Sequence, residues 1–171
     1  MMKKRLSAEN WIDTGLKALA KGGPSALGAE VLARKLGASK GSFYWHFKGL
    51  DDFHGQLATA WKRHAATALV GALEGDEPVA IRLQKIGAAT PGEAAMRAWG
   101  RENPAAAAEV AEIDQLRLDA LSAVLRDVGV SNPDLARALY ATGIGLAQLP
   151  KGKAKSDATL STLIDLILAL R

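Results

Sequence analysis

No cysteine occurs among the 171 residues of the chain. This absence excludes disulfide bonds, thiolate metal sites and a cysteine nucleophile. No run of 18 apolar residues occurs either, so we predict no membrane-spanning segment. The first residues, MMKKRLSAEN, carry basic side chains without an apolar stretch behind them, which is unlike a secretory signal. A cytoplasmic location is the simplest expectation.

Residues that favour β-strands are also scarce. Aromatic residues make up 5% of the chain, and Ala and Leu outnumber Val and Ile, so helices are favoured over strands. A chain of this length buries roughly two-thirds of its unfolded surface in one or two small domains, which is enough for a core without a cofactor. We therefore predict an all-α fold.

The motifs of common enzymes are missing as well. There is no Gly-rich phosphate loop and no Ser-His-Asp set that the sequence can support. His54 and His64 lie ten residues apart on one predicted helix with no third ligand nearby, so no metal site is predicted. We expect a protein that is not an enzyme and that needs no cofactor.

Charge is distributed unevenly along the chain. Residues 1–64 hold eleven Lys and Arg against five Asp and Glu, a net charge of +6, whereas residues 65–171 hold eleven against thirteen, a net charge of −2. A basic segment, which here begins with a short arm at residues 3–5, is what a domain that binds a polyanion requires. Charge alone leaves open the alternative of a solvated basic surface without a partner.

Four of the nine aromatic residues lie within residues 43–47, and the segment before them is organised as short helices. A helix capped by Ser7 comes first. A second helix ends at Leu36, Gly37 supplies a turn, and Ser39 caps a third helix. This spacing is that of a helix-turn-helix, whose second helix enters the major groove of DNA by its N-terminal end.

The third helix is predicted to have a buried side and a side that it presents. Phe43 and Phe47 are four residues apart and share a face, which we predict is buried. Small and polar residues at the start of the helix allow a close approach to DNA, and the polar rings that follow suit phosphates and thymine methyl groups. The predicted DNA contacts are Ser39, Lys40, Gly41, Ser42, Tyr44, Trp45 and His46.

Two segments resemble the tetracycline-repressor (TetR) family of bacterial transcription regulators. They are GLKALAKGGPSALGAEVLARKLG, which is similar to the first two helices of the family, and GASKGSFYWHFKGLDDF, which is similar to its recognition helix and the start of the next helix. The resemblance covers residues 7 to about 65. It implies an all-helical homodimer, with an N-terminal domain that binds double-stranded DNA and a C-terminal domain that dimerises and often binds a small inducer.

Two positions depart from the family pattern. Gly28 stands where the family usually has Thr or Ser, so a helix cap and a phosphate contact are expected to be missing. Leu50 stands where a Lys commonly opens the fourth helix, and Lys48 is the predicted substitute for that phosphate contact. Each lost phosphate contact is expected to weaken binding to all DNA sequences alike.

Caps and prolines place the remaining helices. A long helix from Leu50 to about Glu74 connects a predicted DNA-binding domain, residues 1–49, with a helical domain, residues 50–171. Later start signals are Thr90-Pro91-Gly92-Glu93, which has the pattern of a capping box, and two Asn-Pro pairs. The predicted helices span about 78–88, 91–101, 104–128, 133–149 and 157–170, with residues 150–155 an exposed and mobile connection.

The last two predicted helices carry the faces that we assign to a subunit interface. A small-residue face on the first would let another helix approach closely, and an apolar stripe runs along the second. Both could pack within their own domain, but the resemblance implies pairing with the same helices of a second subunit. The candidates are Ala138, Ala141, Thr142, Gly145, Leu149, Leu160, Leu163, Ile164, Ile167 and Leu168.

A ligand pocket is less well determined by the sequence. Large apolar residues on amphipathic helices are core by default. The candidates to line a pocket are Trp61, Met96, Trp99, Leu116, Leu121 and Tyr140. Because no cluster of charged residues occupies apolar positions, an inducer is predicted to be largely apolar.

The function expected from these patterns is that of a repressor. It would bind a palindromic operator as a homodimer and be released by a small ligand. The alternative is a helical interaction module that keeps the fold but no longer binds a specific operator, and Gly28 and Leu50 are the residues that favour it.

Overall fold

A computed structural model describes residues 6–149 and 156–170, so the basic arm and the connection before the last helix lie outside the described residues. Within those ranges the chain forms nine α-helices and one 3₁₀ turn, Pro24–Leu27, without a strand, which confirms the predicted all-α fold. The helices are α1 (Ala8–Gly22), α2 (Ala29–Leu36), α3 (Lys40–Tyr44), α4 (Leu50–Glu74), α5 (Val79–Gly87), α6 (Glu93–Trp99), α7 (Pro104–Asp127), α8 (Pro133–Gln148) and α9 (Ser156–Leu168). Among the described residues, no helix has the length and apolar character needed to cross a membrane.

Side-chain caps set several helix starts where the sequence predicts them. The Ser7 hydroxyl accepts a hydrogen bond from the backbone N–H of Asn10 at the start of α1. The side-chain oxygens of Asn103 and Asn132 accept in the same way at the starts of α7 and α8. These bonds satisfy N–H groups that have no partner inside the helix.

The helix predicted to start at Pro91, from the motif Thr90-Pro91-Gly92-Glu93, starts two residues later. Helix α6 begins at Glu93, and its N-cap residue, Gly92, makes no side-chain cap bond. Gly92 has a φ of 81°, a left-handed conformation that glycine adopts without a Cβ clash. Pro91 and Gly92 therefore form a turn ahead of the helix instead of its first turn.

Packing divides the described chain into two units. The first combines the residues up to Arg63 with Pro91–Val110, and the second combines His64–Thr90 with the residues from Ala111 onward. Two of the three boundaries fall inside long helices, α4 and α7, so each of these helices contributes to two units, and the third falls between α5 and α6. The sequence-based division at residue 49 stays a prediction.

The first unit has an aromatic core around Phe43. The centroid of its ring lies 5.4 Å from that of Trp11, 5.3 Å from that of Phe53 and 5.0 Å from that of Phe47. Helix α1 approaches α4 closely at Gly15, where a Cβ would lie 2.7 Å from the Phe53 ring. The predicted burial of Phe43 and Phe47 is confirmed.

The second unit contains three mutually packed helices, α5, α8 and α9. Helix α8 approaches the end of α5 so closely that Gly143 has no room for a side chain. A Cβ at this position would fall on the carbonyl oxygen of Gly87 and 2.9 Å from its carbonyl carbon. Fully buried Leu83 and Leu139 pack in the core of this unit.

Candidate nucleic-acid interface

Helices α2 and α3 pack together with a tight turn between them. Gly37 ends α2 with a φ of 62°, which is the left-handed exit that glycine permits. The Ala38 N–H donates back to the Ala33 carbonyl at 2.9 Å. The Ser39 hydroxyl then caps α3 by accepting from the Ser42 N–H at 3.3 Å. The geometry is that of a helix-turn-helix.

The regular part of α3 is shorter than the predicted recognition helix, because it ends at Tyr44. The chain continues through one more turn, in which the N–H groups of His46 and Phe47 both lie 3.0 Å from the Phe43 carbonyl oxygen. Trp45 and His46 thus belong to the turn that follows the helix. Phe47 remains on the buried side because this turn keeps a helical hydrogen bond.

The predicted contact residues lie on the solvent side of this segment. Tyr44 is 52% exposed and Trp45 is 89% exposed, although both are large and partly apolar. Ser42 and His46 are half-buried. The exposed remainder of the predicted set is Ser39, Lys40, Gly41 and Lys48. The structure therefore brings the predicted set together on one short stretch of α3 and the turn after it.

Glu30, in the first turn of α2, lies beside the predicted contacts without being one of them. Its carboxylate accepts a hydrogen bond from the Lys40 ammonium at 2.7 Å, and both side chains are exposed. The hydrogen bond and charge of Lys40 lower the pKa of Glu30, and Glu30 in turn raises the pKa of Lys40. A signal was present, because Glu30 is the only acidic residue between Asp13 and Asp51.

Asp52 holds the loop between α3 and α4. Its carboxylate accepts a 2.9 Å hydrogen bond from the backbone N–H of Lys48 and a 3.0 Å bond from the Gln56 amide. These two hydrogen bonds lower the pKa of Asp52, and the bond from the Lys48 N–H contributes more than the bond from Gln56. This carboxylate fixes the backbone at Lys48, and the exposed Leu50 opens α4 two residues later.

The start of α2 lacks a side-chain cap, as expected from its glycine. Gly28 is the N-cap residue, with φ −65° and ψ 141°, and no side-chain hydrogen bond closes the helix. A Cβ at Gly28 would have its nearest neighbour, the Val31 side chain, at 3.8 Å. A larger residue would therefore fit here without strain.

The six pocket candidates are divided between the two units. Trp61, Met96 and Trp99 are buried in the first unit, whereas Leu121 and Tyr140 are buried in the second. Leu116 is exposed on α7, so it cannot line an interior cavity. The apolar character of a side chain predicts burial but not an empty space beside it.

Tyr140 belongs to a buried polar network of the second unit. Its hydroxyl donates to the Asp114 carboxylate at 2.7 Å, and the buried Arg117 has a guanidinium nitrogen 3.5 Å from the same hydroxyl. Buried polar groups need such partners. Tyr140 is therefore accounted for by the core of the unit.

Two open cavities lie elsewhere, and none of the six candidates lines either. One, of about 690 Å³, lies between α1 and α4 in the first unit and is bordered by Glu9, Asp13, Asp51 and Asp52. The other, of about 360 Å³, is a shallow groove along α9 beside Leu163 and Leu166.

The interface candidates on α8 and α9 differ in exposure. Three of the five on α9, Leu160, Ile164 and Ile167, are buried in the core of their own chain, and Leu163 and Leu168 are half-buried. These buried residues cannot reach a second subunit. The candidates on α8 face solvent except for the half-buried Thr142; the exposed ones are Ala138, Ala141, Gly145 and Leu149.

Comparison with known proteins agrees with this geometry. Residues 12–53 match the family model described as bacterial regulatory proteins of the tetR family. The matched span begins within α1 and ends in the first turn of α4, so it contains the whole helix-turn-helix. No curated protein matches the sequence.

Solved structures share the fold along almost the whole chain. A transcriptional regulator from Rhodococcus sp. Rha1 is 19% identical with a TM-score of 0.67, and covers 96% of this chain and 95% of its own. The fatty acid degradation regulator FadR from Bacillus halodurans is 14% identical with a TM-score of 0.69, covering 98% and 96%. The multidrug binding protein EbrR, complexed with imidazole, is 20% identical with a TM-score of 0.52, covering 91% and 93%.

The helix-turn-helix geometry and the family match fall on the same residues. Proteins of this family regulate transcription and are not enzymes. Residues 12–53 thus form a DNA-binding domain of the kind found in the tetR family of bacterial regulatory proteins, and the chain as a whole shares the fold of such regulators.

Proposed function

We propose that the chain is a repressor that binds a palindromic operator as a homodimer. The proposal rests on the exposure of Trp45. Its side chain is 89% exposed, although Trp11, Trp61 and Trp99 are all buried. Leaving a large ring in water forgoes burial worth on the order of 2 kcal/mol. Together with the exposed Tyr44 beside it, Trp45 forms an apolar patch at the tip of the helix-turn-helix, as a binding surface requires.

The residues around Trp45 have the chemistry that DNA recognition needs. Lys40 can donate to a phosphate or to the N7 and O6 atoms of guanine, and Ser42 can donate to a base or a backbone oxygen. Tyr44 and Trp45 combine an apolar ring with a polar hydrogen, which suits a thymine methyl group next to a phosphate. Gly41 leaves space for the DNA backbone, and Lys48 supplies a further phosphate contact.

A dimer is supported by the uncovered apolar surface of the second unit. Small residues on α8 leave a face that another helix can approach closely, and Leu149 at its end is 62% exposed. On α9, Leu166 is 64% exposed and borders the shallow groove. A two-fold dimer would cover these surfaces with their own copies. It would also present two α3 helices to one palindrome.

Release by a small, largely apolar ligand completes the proposal. Trp61 and His54 lie two turns apart on α4, and the Nε1 atom of Trp61 and the Nε2 atom of His54 are buried without a hydrogen-bond partner. The His54 ring lies 5.2 Å from the Trp99 ring. A ligand that carries one polar group among apolar ones would satisfy such atoms. The binding of drugs by the structural neighbour EbrR agrees with this chemistry.

An interaction module that no longer binds an operator is the second candidate. Gly28 offers no hydroxyl at the start of α2, and Leu50 offers no ammonium at the start of α4. Two phosphate contacts in each protomer would then be missing. The two candidates differ in whether the chain selects a DNA sequence.

Selection from a random DNA pool at low salt tests the proposal. We expect an enriched palindromic motif, and we expect the affinity for that motif to fall steeply as salt rises. Lys40→Ala should reduce this affinity, whereas Lys85→Ala should not, because Lys85 forms a similar exposed ion pair, with Glu77, in the second unit. Recovery of no motif would reject the repressor and favour the interaction module. Release is measured in the same assay by adding apolar compounds.

A further inference from the structure

The carboxylate of Glu30 is the one negative charge in a basic stretch of sequence. Between Asp13 and Asp51 the chain has six Lys and Arg residues and this single acid. The ion pair joins the first turn of α2 to the first residue of α3, with 2.7 Å between the Lys40 ammonium and the Glu30 carboxylate. Arg34, one turn further along α2, also lowers the pKa of Glu30, so the carboxylate stays charged at neutral pH.

The pair contributes little to the stability of the fold. The Lys40 and Glu30 side chains are 53% and 69% exposed, and solvent screens an exposed ion pair so that it adds little to folding. The ion pair matters more for DNA binding than for the fold, because Lys40 is one of the predicted DNA contacts. Any group that binds Lys40 must share its ammonium with the Glu30 carboxylate or displace that carboxylate.

Phosphate and guanine respond differently to this carboxylate. A phosphate carries a full negative charge, so a contact with Lys40 either breaks the ion pair or brings two anions together around one ammonium. The N7 and O6 atoms of guanine are neutral acceptors, and an ammonium has three donors, so Lys40 can bind them while it keeps Glu30. The carboxylate therefore opposes phosphate contacts more than base contacts.

We propose that Glu30 is a specificity determinant of the DNA-binding surface, which holds Lys40 away from phosphates and available to a base edge. The inference rests on the proposed operator binding. Glu30 would lower the affinity for nonspecific DNA, where Lys40 contacts phosphates, more than the affinity for the operator, and so increase the ratio of operator affinity to nonspecific affinity. It acts on DNA through Lys40 and is a positioning residue.

Glu30→Gln tests the inference. For each protomer in contact, we expect the variant to bind a random-sequence duplex roughly three- to eightfold more tightly near 0.1 M salt, which is the order of one added phosphate contact. The slope of log affinity against log salt should steepen by about 0.9 for each protomer in contact. Affinity for the selected operator should rise less, so the specificity ratio should fall.

Two further variants separate this role from a general effect of charge. Glu77→Gln makes the same charge change in the similar exposed pair with Lys85 and should leave the ratio unchanged. In a Lys40→Ala background, Glu30→Gln should lose most of its effect, because the effect is transmitted through Lys40. Equal effects in both backgrounds, or equal effects of the two Gln variants, would overturn the inference.

The test also distinguishes the inference from the proposed function. If the wild-type chain selects no operator, the proposed function fails and this inference fails with it. If the wild type selects an operator and Glu30→Gln leaves the specificity ratio and the salt slope unchanged, only the inference fails. Helicity and melting temperature, measured on each variant, establish that the fold is retained.

Discussion

At the scale of single residues, ring burial follows from spacing in the sequence. Phe43 and Phe47 are four residues apart and both are buried, whereas Tyr44 and Trp45 between them face solvent. A helical turn places residues four apart on one face, so this division could be predicted. The pairing of Lys40 with Glu30 could not, because it depends on how α2 and α3 cross.

The first helix shows a limit of the same reasoning. Its apolar spacing predicts an inward face of Ile12, Leu16, Leu19 and Ala20, but Ala20 is exposed and Leu16 is half-buried. Trp11, which the spacing did not include, is fully buried against the Phe43 ring. The centre of a buried face depends on the element that packs against the helix, and periodicity in the sequence does not identify that element.

A substitution at Gly143 tests the close packing of α5 and α8. A Cβ at Gly143 would overlap the Gly87 carbonyl oxygen, a backbone atom that moves only if α5 and α8 separate. We expect Gly143→Ala to lower the free energy of unfolding by about 1–3 kcal/mol or more, as overpacking does. Gly71→Ala is the control, since Gly71 is exposed on α4 and a Cβ there would have no atom within 4 Å, so this change should be neutral or stabilising. Urea denaturation measures both, and equal stabilities would contradict the close packing.

At the scale of elements, the helices and most of their caps could be predicted. The bounds of α4 agree with those expected, and caps at Ser7, Ser39, Asn103 and Asn132 form as their sequence motifs indicate. Local motifs of this kind act within one turn of helix, so the sequence contains all the partners. The predicted start of α6 at Pro91 is two residues early, because Gly92 adopts a left-handed conformation that the motif does not encode.

The apolar stripe of α9 could be recognised but not assigned to a partner. Leu160, Ile164 and Ile167 fill the core of their own unit. An amphipathic helix buries its apolar face against whichever neighbour is available, and the pattern is the same for a neighbour in the same chain and one in another.

The dependence of thermal stability on pH tests the contribution of Asp52. Its folded pKa lies below its ordinary value of 3.8, so its contribution to stability is present above about pH 4 and is lost as pH falls through the lower folded pKa. We expect the wild type to lose more melting temperature between pH 7 and pH 3 than Asp52→Asn does. Asp51→Asn, which removes an exposed carboxylate one residue earlier, is the matched control. Identical pH profiles for the wild type and Asp52→Asn would contradict the role of the Asp52 carboxylate in holding this loop.

At the scale of the whole molecule, the sequence predicted the all-α fold and the location of the helix-turn-helix. It could not determine which surfaces meet a second subunit, because an uncovered face is defined only after the chain has covered the others. The exposed side of α8 and the leucines Leu166 and Leu170 of the C-terminal segment are known from the structure alone.

A substitution on α9 tests the proposed dimer. Leu166→Arg places a charge on the exposed side of α9 and should convert the protein to a monomer in sedimentation equilibrium, since a buried unpaired charge costs several kcal/mol. Ile81→Arg changes another exposed apolar residue of the same unit and should leave the mass of the dimer unchanged. A wild-type protein that is monomeric at micromolar concentration, or a Leu166→Arg variant that stays dimeric, would contradict the proposed interface.

Bound DNA is expected to cover the tip of the helix-turn-helix, and acrylamide quenching of tryptophan fluorescence measures the exposure of that tip. Trp45 is the exposed tryptophan, so it should account for most of the quenching of the free protein, and Trp45→Phe should remove that component. Saturation with the selected duplex is predicted to protect the wild type from acrylamide until it resembles this variant. Quenching of Trp45 that is unchanged at saturating DNA would contradict this expectation.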